Sequence, residues 1–235
     1  MKLKINTPKG KYYYQFVPIY VGMKTLDKEI ARENLLLLKA LLDEHGIPFC
    51  LAFGTLLGAV REKDFIAHDE DIDLMMLKGN RDQLLALLWR LQEKGFEVAR
   101  YEPRGLLSII RKGEYIDFYF FEEYPEDRSL YHCCRDLCPK EFLDDTTLLP
   151  FQGADFQVPK DYERYLAYTY GEDWRTPIPM YNFQQPNWKR KVNIALQYAK
   201  AWLPEPLVRR IQQRSDLPYL AKWREKAQKF KTIKS

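Results

Sequence analysis

Acidic and apolar residues interleave between His68 and Met76, and this pattern constrains the fold more than any other feature of the chain. Asp71 and Asp73 alternate with Ile72 and Leu74, which is the period-two pattern of a strand with one face in a core. Residues i and i+2 of a strand share a face and lie about 6.6 Å apart, so the two carboxylates can converge on one hard cation. Magnesium prefers a few carboxylates together with phosphate oxygens of a substrate, and phosphoryl transfer needs such an ion. The segment therefore predicts a strand that carries a catalytic metal site.

A third carboxylate stands alone in an apolar run further along the chain. Asp117 is the only charged residue between Tyr115 and Phe121. A buried carboxylate is costly unless a partner or a metal offsets its charge. Acidic runs are often solvated loop ends, but the intervening apolar residues and this lone Asp favour a metal site. If the two strands are neighbours, Asp71, Asp73 and Asp117 form one catalytic, metal-binding site.

A glycine-containing segment precedes the acids. Gly54 and Thr55 follow a short predicted strand and enter a helical turn, where backbone N–H groups and a hydroxyl can hold a phosphate. Arg61 could add a bidentate contact. Gly54 and Gly58 could equally serve close packing, so this segment alone does not decide between the two interpretations.

Hydrophobic periodicity predicts an α/β (α+β) fold, a mixed sheet flanked by helices with a helical appendage. The segment 122–140 reads as polar and irregular. The predicted strands are 49–53, 71–77, 96–101, 106–111 and 115–121 with a hairpin over 148–159, and the predicted helices are 25–44, 81–94 and 162–170.

Bulk composition narrows the class of protein. Hydrophobic residues make up 46% and charged residues 30% of the 235 positions, which argues against disorder. No run approaches the roughly 20 apolar residues that span a bilayer, and the four cysteines do not suggest a disulfide framework. We therefore expect a soluble, cytoplasmic protein.

Charge is distributed unevenly along the chain. Three prolines, Pro177, Pro179 and Pro186, mark a connector, so we predict a catalytic domain over 1–186 and an appendage over 187–235. The appendage carries 13 basic and 3 acidic residues, a net +10 against −6 for the rest. Such a tail predicts an anionic partner, a membrane surface or a polyanion. The segment 207–233 mixes cations with Trp and Phe, as a basic amphipathic helix on an anionic membrane does; the alternative is a helix packed on the domain.

Together, the glycine segment and the acidic block resemble the LicD family of phosphotransferases, which includes the fukutin-type ribitol-phosphate transferases. The resemblance covers about residues 30 to 180. It rests on Gly54 to Arg61, His68 to Asp73, Tyr115 to Phe118, Val158-Pro159, Tyr170-Gly171 and Trp174, with His68 where family members often carry an aromatic residue.

The resemblance implies a nucleotidyltransferase-like fold and a CDP-activated alcohol as donor. A choline, ethanolamine, ribitol or glycerol phosphate would pass to a hydroxyl of a cell-surface or lipid-linked glycan, and CMP would leave. By that resemblance, Asp71 and Asp73 bind Mg²⁺ or Mn²⁺, Asp117 completes the site and can accept the acceptor's proton, Asp69 is an auxiliary ligand, and Gly54, Thr55 and Arg61 hold phosphate.

Other interpretations stay open. One is a nucleotidyltransferase that moves a nucleoside monophosphate and releases pyrophosphate; another is a non-catalytic, metal-binding subunit that docks on a polyanion. We do not expect nucleic acid as a partner, and a peripheral position at the inner face of the membrane fits a lipid-linked acceptor. A structural Zn²⁺ is a further candidate, although reduced thiols are favoured; its ligands would be His132, Cys133, Cys134 and Cys138.

Overall fold

A large mixed sheet forms the centre of the protein, with helices packed on it and a separate two-stranded hairpin at its side. The computed structural model describes residues 2–19, 24–178 and 186–232. The strands are β1 (Lys2–Thr7), β2 (Gly10–Gln15), β3 (Cys50–Leu51), β4 (Asp71–Leu77), β5 (Glu97–Glu102), β6 (Leu106–Arg111), β7 (Glu114–Glu123), β8 (Leu130–Cys133), β9 (Asp136–Pro139), β10 (Thr146–Phe151) and β11 (Ala154–Pro159). The helices are α1 (Lys28–Glu44), α2 (Phe53–Arg61), α3 (Arg81–Ala86), α4 (Leu88–Glu93), α5 (Glu141–Asp144), α6 (Tyr162–Tyr170), α7 (Asn187–Trp202) and α8 (Glu205–Thr232), with a 3-10 turn at Lys78–Asn80.

The main sheet runs in the order β10-β11-β3-β4-β7-β6-β5, and β8 and β9 continue it from the end of β7. β4 pairs with β7 in parallel, and β6 pairs with β7 antiparallel. β4 and β7 lie inside the sheet and are covered on both faces, which explains their nearly continuous apolar sequences. The predicted α/β class and the predicted neighbourhood of these two strands are confirmed.

Helix α1 covers one face of the central strands. Its N-terminus is capped by Asp27, whose carboxylate accepts the N–H groups of Glu29 and Ile30 at 3.1 Å. Leu35, Leu38 and Leu42 follow at helical spacing and are fully buried. The amphipathic pattern thus places this helix on the core as predicted.

Three predicted elements differ from the structure. The strand predicted over 49–53 is only Cys50–Leu51, because Phe53 already begins α2. The helix predicted over 81–94 is interrupted at Leu87 and forms α3 and α4. The segment 122–140 is not irregular: it contains the β8–β9 hairpin, which is held by pairing with the end of the long strand β7.

The two C-terminal helices pack back onto the body of the protein, and of the connector prolines Pro179 lies outside the described residues. In the second half of α8, Trp223 lies against Tyr168 and Phe230 against Phe142. Among the described residues, no helix has the length and apolar content needed to cross a bilayer.

One carboxylate fixes α8 to the sheet. Asp216 is buried, and it accepts hydrogen bonds from Arg104 and, at 2.9 Å, from Arg135. Arg104 also donates to Glu102 at 2.7 Å, so the contact joins α8 to the end of β5. Removing one partner of a buried ion pair leaves the other charge uncompensated.

We predict that Asp216→Ala lowers the free energy of unfolding by about 2–3 kcal/mol. This is less than the roughly 3–5 kcal/mol of a fully buried pair, because Arg135 is partly exposed. The matched control is Asp82→Ala, which removes an exposed pair with Arg81 and should cost less than about 1 kcal/mol. Urea unfolding of both variants measures the difference, and equal losses would contradict the assignment.

Candidate active site

A row of polar side chains crosses four neighbouring strands of the main sheet. The strand register pairs Asp73 of β4 with Asp117 of β7, Asp117 with Ser108 of β6, and Ser108 with Arg100 of β5. Paired residues of neighbouring strands project to the same face of a sheet. We call these four residues the polar row. The backbone pairing itself therefore brings two carboxylates and a guanidinium together.

Arg100 neutralises one end of the polar row. Its Nη2 donates to Oδ2 of Asp117 at 3.1 Å, and its Nε donates to the Ser108 hydroxyl at 3.2 Å. Asp117 is only 2% exposed, and its second oxygen, Oδ1, is buried without a hydrogen-bond partner. Burial raises the pKa of Asp117, while Arg100 and Ser108 act in the opposite direction. One oxygen of this carboxylate is thus held, and the other still lacks a partner.

Asp71 lies at the open end of the cluster. It stands two residues before Asp73 on β4, so the two side chains share a face, and it remains half-buried whereas Asp73 is 8% exposed. Burial raises the pKa of Asp71, and the charges of Asp73 and Asp117 raise it further. The structure therefore brings the three predicted carboxylates together, and they destabilise one another's charged forms.

Asp73 is held from two directions. The Gly54 N–H donates to its Oδ2 at 3.3 Å, and its own backbone N–H donates to the Thr55 hydroxyl at 2.8 Å. Burial raises the pKa of Asp73, as do the charges of Asp69 and Asp117, whereas the Gly54 N–H and the Tyr119 hydroxyl lower it. The carboxylate is consequently fixed in orientation.

The beginning of α2 holds strand β4 rather than presenting an open phosphate cradle. Thr55 is fully buried and its hydroxyl accepts from Asp73, and the Gly54 N–H is directed at the Asp73 carboxylate. The sequence-based assignment of Gly54 and Thr55 to phosphate is therefore revised. Phe53 supports the turn with a left-handed φ of 39°, and its ring packs edge-on against Tyr119 with centroids 4.9 Å apart.

Asp69 joins the cluster from the loop before β4. A Cβ atom on Gly54 would lie 2.6 Å from Oδ2 of Asp69, so a larger residue at this position would displace the carboxylate. That oxygen is buried without a partner, and burial raises the pKa of Asp69 to about 6. The Asp69 backbone oxygen accepts the Leu26 N–H at 2.8 Å, which anchors the loop. Asp69 thus lies in the cluster, and its role as an auxiliary metal ligand stays a prediction.

Arg61 and Tyr170 border the cluster on the α2 side. Arg61 donates to the Trp174 carbonyl at 3.2 Å and to Glu62 at 2.8 Å, while its Nε is buried without a partner. Part of Tyr170 is exposed, but burial of its hydroxyl, together with the charges of Asp73 and Asp69, raises its pKa well above the usual range. Both side chains therefore face the same small region as the carboxylates.

Sequence reasoning missed Arg100, Tyr119 and Tyr170 as site residues. Tyr119 could have been found, because it stands two residues after Asp117 and so shares its face. Arg100 could not, since its position depends on the β5–β6 register, which shifts between Val98 and Arg100.

The donor set fits a hard divalent cation. Among the residues that the structure describes, no three His, Cys, Asp or Glu side chains form a preassembled metal group. Oδ2 of Asp117 is engaged by Arg100. Nevertheless, the charges of Asp69 and Asp117 raise the pKa of both Asp71 and Asp73. One buried oxygen on each of Asp69 and Asp117 has no partner. Carboxylate oxygens of this kind are the ligands that Mg²⁺ and Mn²⁺ accept.

The residues of the predicted zinc site do not converge. His132 and Cys133 are adjacent on β8 and point to opposite faces. His132 Nε2 lies 3.7 Å from Glu122, whereas the buried Cys133 thiol donates to the Gly105 carbonyl at 3.0 Å. Cys138 is buried, and its thiol donates to its neighbour's carbonyl at 3.5 Å. Cys134 Sγ lies 3.8 Å from Cys133 Sγ. The geometry is that of packed thiols.

Comparison with known proteins locates this site within a family domain. The model of the LicD/FKTN/FKRP nucleotidyltransferase domain matches residues 46–161, which include every carboxylate of the cluster. The chain is 26% identical over 202 residues to ribitol-5-phosphate transferase FKTN of Mus musculus, covering 73% of this chain and 41% of that protein. It is 30% identical over 171 residues to ribitol 5-phosphate transferase FKRP of Homo sapiens, covering 66% and 33%. An uncharacterized protein of Rickettsia typhi matches at 25% over 150 residues, covering 64% and 43%.

The chain thus spans less than half the length of each of these relatives. Among solved structures, ANT(2")-Ia in complex with adenylyl-2"-tobramycin is 16% identical and covers 83% of this chain and 98% of that one. Its TM-score of 0.44 is too low to bear on function. Residues 46–161 carry the family's nucleotidyltransferase domain, and the chain belongs to the LicD family.

Proposed function

We propose that the protein is a phosphotransferase that moves a phospho-alcohol from a CDP-activated donor to a hydroxyl of a glycan and releases CMP. The observation that carries the proposal is the carboxylate cluster on the paired strands β4 and β7, inside the family domain. The names of the relatives supply ribitol phosphate as one member of the phospho-alcohol class. The CDP donor and the glycan acceptor follow from the family resemblance.

A divalent ion, Mg²⁺ or Mn²⁺, would be held by Asp71, Asp73 and Asp117, with Asp69 as an auxiliary ligand. When bound, such an ion neutralises negative charge on the phosphoryl group that is transferred. The unpartnered buried oxygens of Asp69 and Asp117 support this assignment.

The surrounding residues would keep the carboxylates in a productive orientation. Gly54 and Thr55 hold Asp73 through hydrogen bonds to its carboxylate and its backbone N–H, and Arg100 holds one oxygen of Asp117. Fixing ligands in this way removes the need for reorganisation during the reaction.

Asp117 is also the proposed proton acceptor. The acceptor oxygen forms a bond to phosphorus, the bond from phosphorus to the oxygen of CMP breaks, and the hydroxyl proton passes to the carboxylate. Burial raises the pKa of Asp117 above its usual value, which brings it closer to that of an effective general base.

Arg61 is the residue that we retain for the donor phosphates. Its Nε is buried without a hydrogen-bond partner, and its other nitrogens bind groups at the edge of the site. A guanidinium suits phosphate oxygens because it presents several donors in a fixed plane.

The cytoplasmic location of the protein stays a prediction.

We predict that the protein releases CMP from one member of a panel of CDP-alcohols only when Mg²⁺ or Mn²⁺ is present. Asp73→Asn should lower kcat by at least about a hundredfold, because it removes a charged metal ligand from a fixed position. The matched control is Asp82→Asn, which changes an exposed acid of α3 and should leave kcat unchanged. Full activity of Asp73→Asn would contradict the assignment of the site.

The same panel separates the alternative reactions. The family model is described as a nucleotidyltransferase domain, so nucleoside triphosphates belong in the panel, with pyrophosphate as the readout. Metal-dependent pyrophosphate release would replace the phosphotransferase proposal with nucleotidyl transfer. Metal binding without turnover of any donor, in the presence of glycan acceptors, would favour the non-catalytic alternative.

We predict that Gly54→Ala weakens Mn²⁺ binding by about tenfold, because the new Cβ displaces Asp69 from the cluster. The overlap would be with Oδ2 of Asp69, at 2.6 Å. Gly79→Ala is the matched control, since no heavy atom lies within 4 Å of its added Cβ. Titration calorimetry measures both affinities, and equal binding by the two variants would show that Asp69 has no part in the metal site.

A further inference from the structure

Helix α7 presents its apolar side to solvent. Its outer face consists of Trp188, Val192, Leu196 and Trp202, all exposed; the two Trp residues are 64% and 68% exposed. At 100° per residue these four side chains fall within an arc of about 120°, and Ala195 and Ala199 lie between them. A surface helix of a globular protein ordinarily turns such an arc towards the core. In α7 this arc faces solvent.

Polar contacts hold the helix in this orientation. Gln197, on the opposite side of α7, donates to the Ile19 carbonyl and accepts the Ile19 N–H, both at 2.9 Å. Lys200 donates to Glu102 of β5 at 3.2 Å. Rotating the helix to bury its apolar arc would break all three bonds. The α7 outer face is therefore a fixed feature of the surface, and apolar patches of this kind mark interaction sites.

The positive charge around the α7 outer face indicates an anionic partner. Residues 187–204 contain four basic residues and no acidic one. Lys189 and Lys191 are exposed and border the apolar arc on its two sides. Tryptophan at both ends of a helix and lysine along its flanks are the composition of helices that lie in the headgroup region of anionic membranes.

We propose that the α7 outer face docks on the surface of an anionic lipid bilayer, with the helix axis in the membrane plane. A helix of 16 residues is about 24 Å long and too short for a hydrocarbon core of about 30 Å. The four apolar side chains enter the interface, and Lys189 and Lys191 contact lipid phosphates.

This proposal differs from the sequence-based expectation, which placed membrane binding in the segment 207–233 and stays a prediction. The aromatic residues of the second half of α8, Trp223 and Phe230, pack on Tyr168 and Phe142 of the body. These two side chains are therefore used inside the protein. Leu207, Ile211, Leu217 and Tyr219 of α8 are exposed as well, but both exposed Trp residues, Trp188 and Trp202, lie on α7.

The test is co-sedimentation of the full chain with vesicles. We expect binding to phosphatidylcholine vesicles that contain one third phosphatidylglycerol, little binding to pure phosphatidylcholine, and weaker binding as salt is added. Trp188→Gln combined with Trp202→Gln should lower partitioning by about tenfold or more, since both side chains lose their apolar burial. Lys189→Glu combined with Lys191→Glu should lower it on the anionic vesicles.

Leu148→Gln is the matched control, because Leu148 is 61% exposed on strand β10, away from α7. It should bind like the wild-type chain. The proposal is overturned if the wild-type chain stays in the supernatant with anionic vesicles, or if the double Trp variant binds as well as the control. A dimer that sedimentation velocity detects in the wild type but not in the Trp variant, without vesicle binding, would assign the face to a second copy.

Discussion

The parallel pairing of β4 with β7 puts Asp73 directly beside Asp117, in the most buried part of the sheet. Two carboxylates in this position repel one another and lose hydration, so the arrangement is unfavourable unless neighbouring groups or a cation compensate. Much of the surrounding structure supplies that compensation. Arg100 reaches Asp117 from β5, and the start of α2 provides hydrogen bonds to Asp73.

Neighbouring groups do not compensate every carboxylate oxygen of the cluster. One oxygen of Asp117 and one of Asp69 remain buried without partners, on the side where Asp71 opens to solvent. Elsewhere in the described part of the chain, buried carboxylates are paired with cations: Asp216 is bound by two arginines, and Glu114, whose Oε2 also lacks a partner, is bound by Lys24 through its other oxygen. Two unsatisfied carboxylate oxygens within one cluster of four acids therefore indicate a site that is completed by a ligand, and the family domain to which it belongs agrees with a phosphoryl-transfer role.

The sequence predicted the fold class, the strand from Asp71 to Leu77 and the meeting of Asp71, Asp73 and Asp117, because a period-two pattern fixes which residues share a face. It could not predict Arg100, whose place depends on long-range register. It misassigned Thr55, since a hydroxyl beside glycine suits both a phosphate and a backbone N–H. The sequence also could not predict that the apolar face of α7 points to solvent, because periodicity shows that a helix has two faces but not which one is buried.

We propose above all that the cluster on β4 and β7 binds a divalent cation. Anomalous diffraction from crystals grown with Mn²⁺ tests it most directly, because the signal locates the metal without reference to activity. We expect one strong peak within coordination distance, about 2.2 Å, of carboxylate oxygens of Asp71, Asp73 and Asp117. No peak there at saturating Mn²⁺, or a peak bound only by other residues, would contradict it.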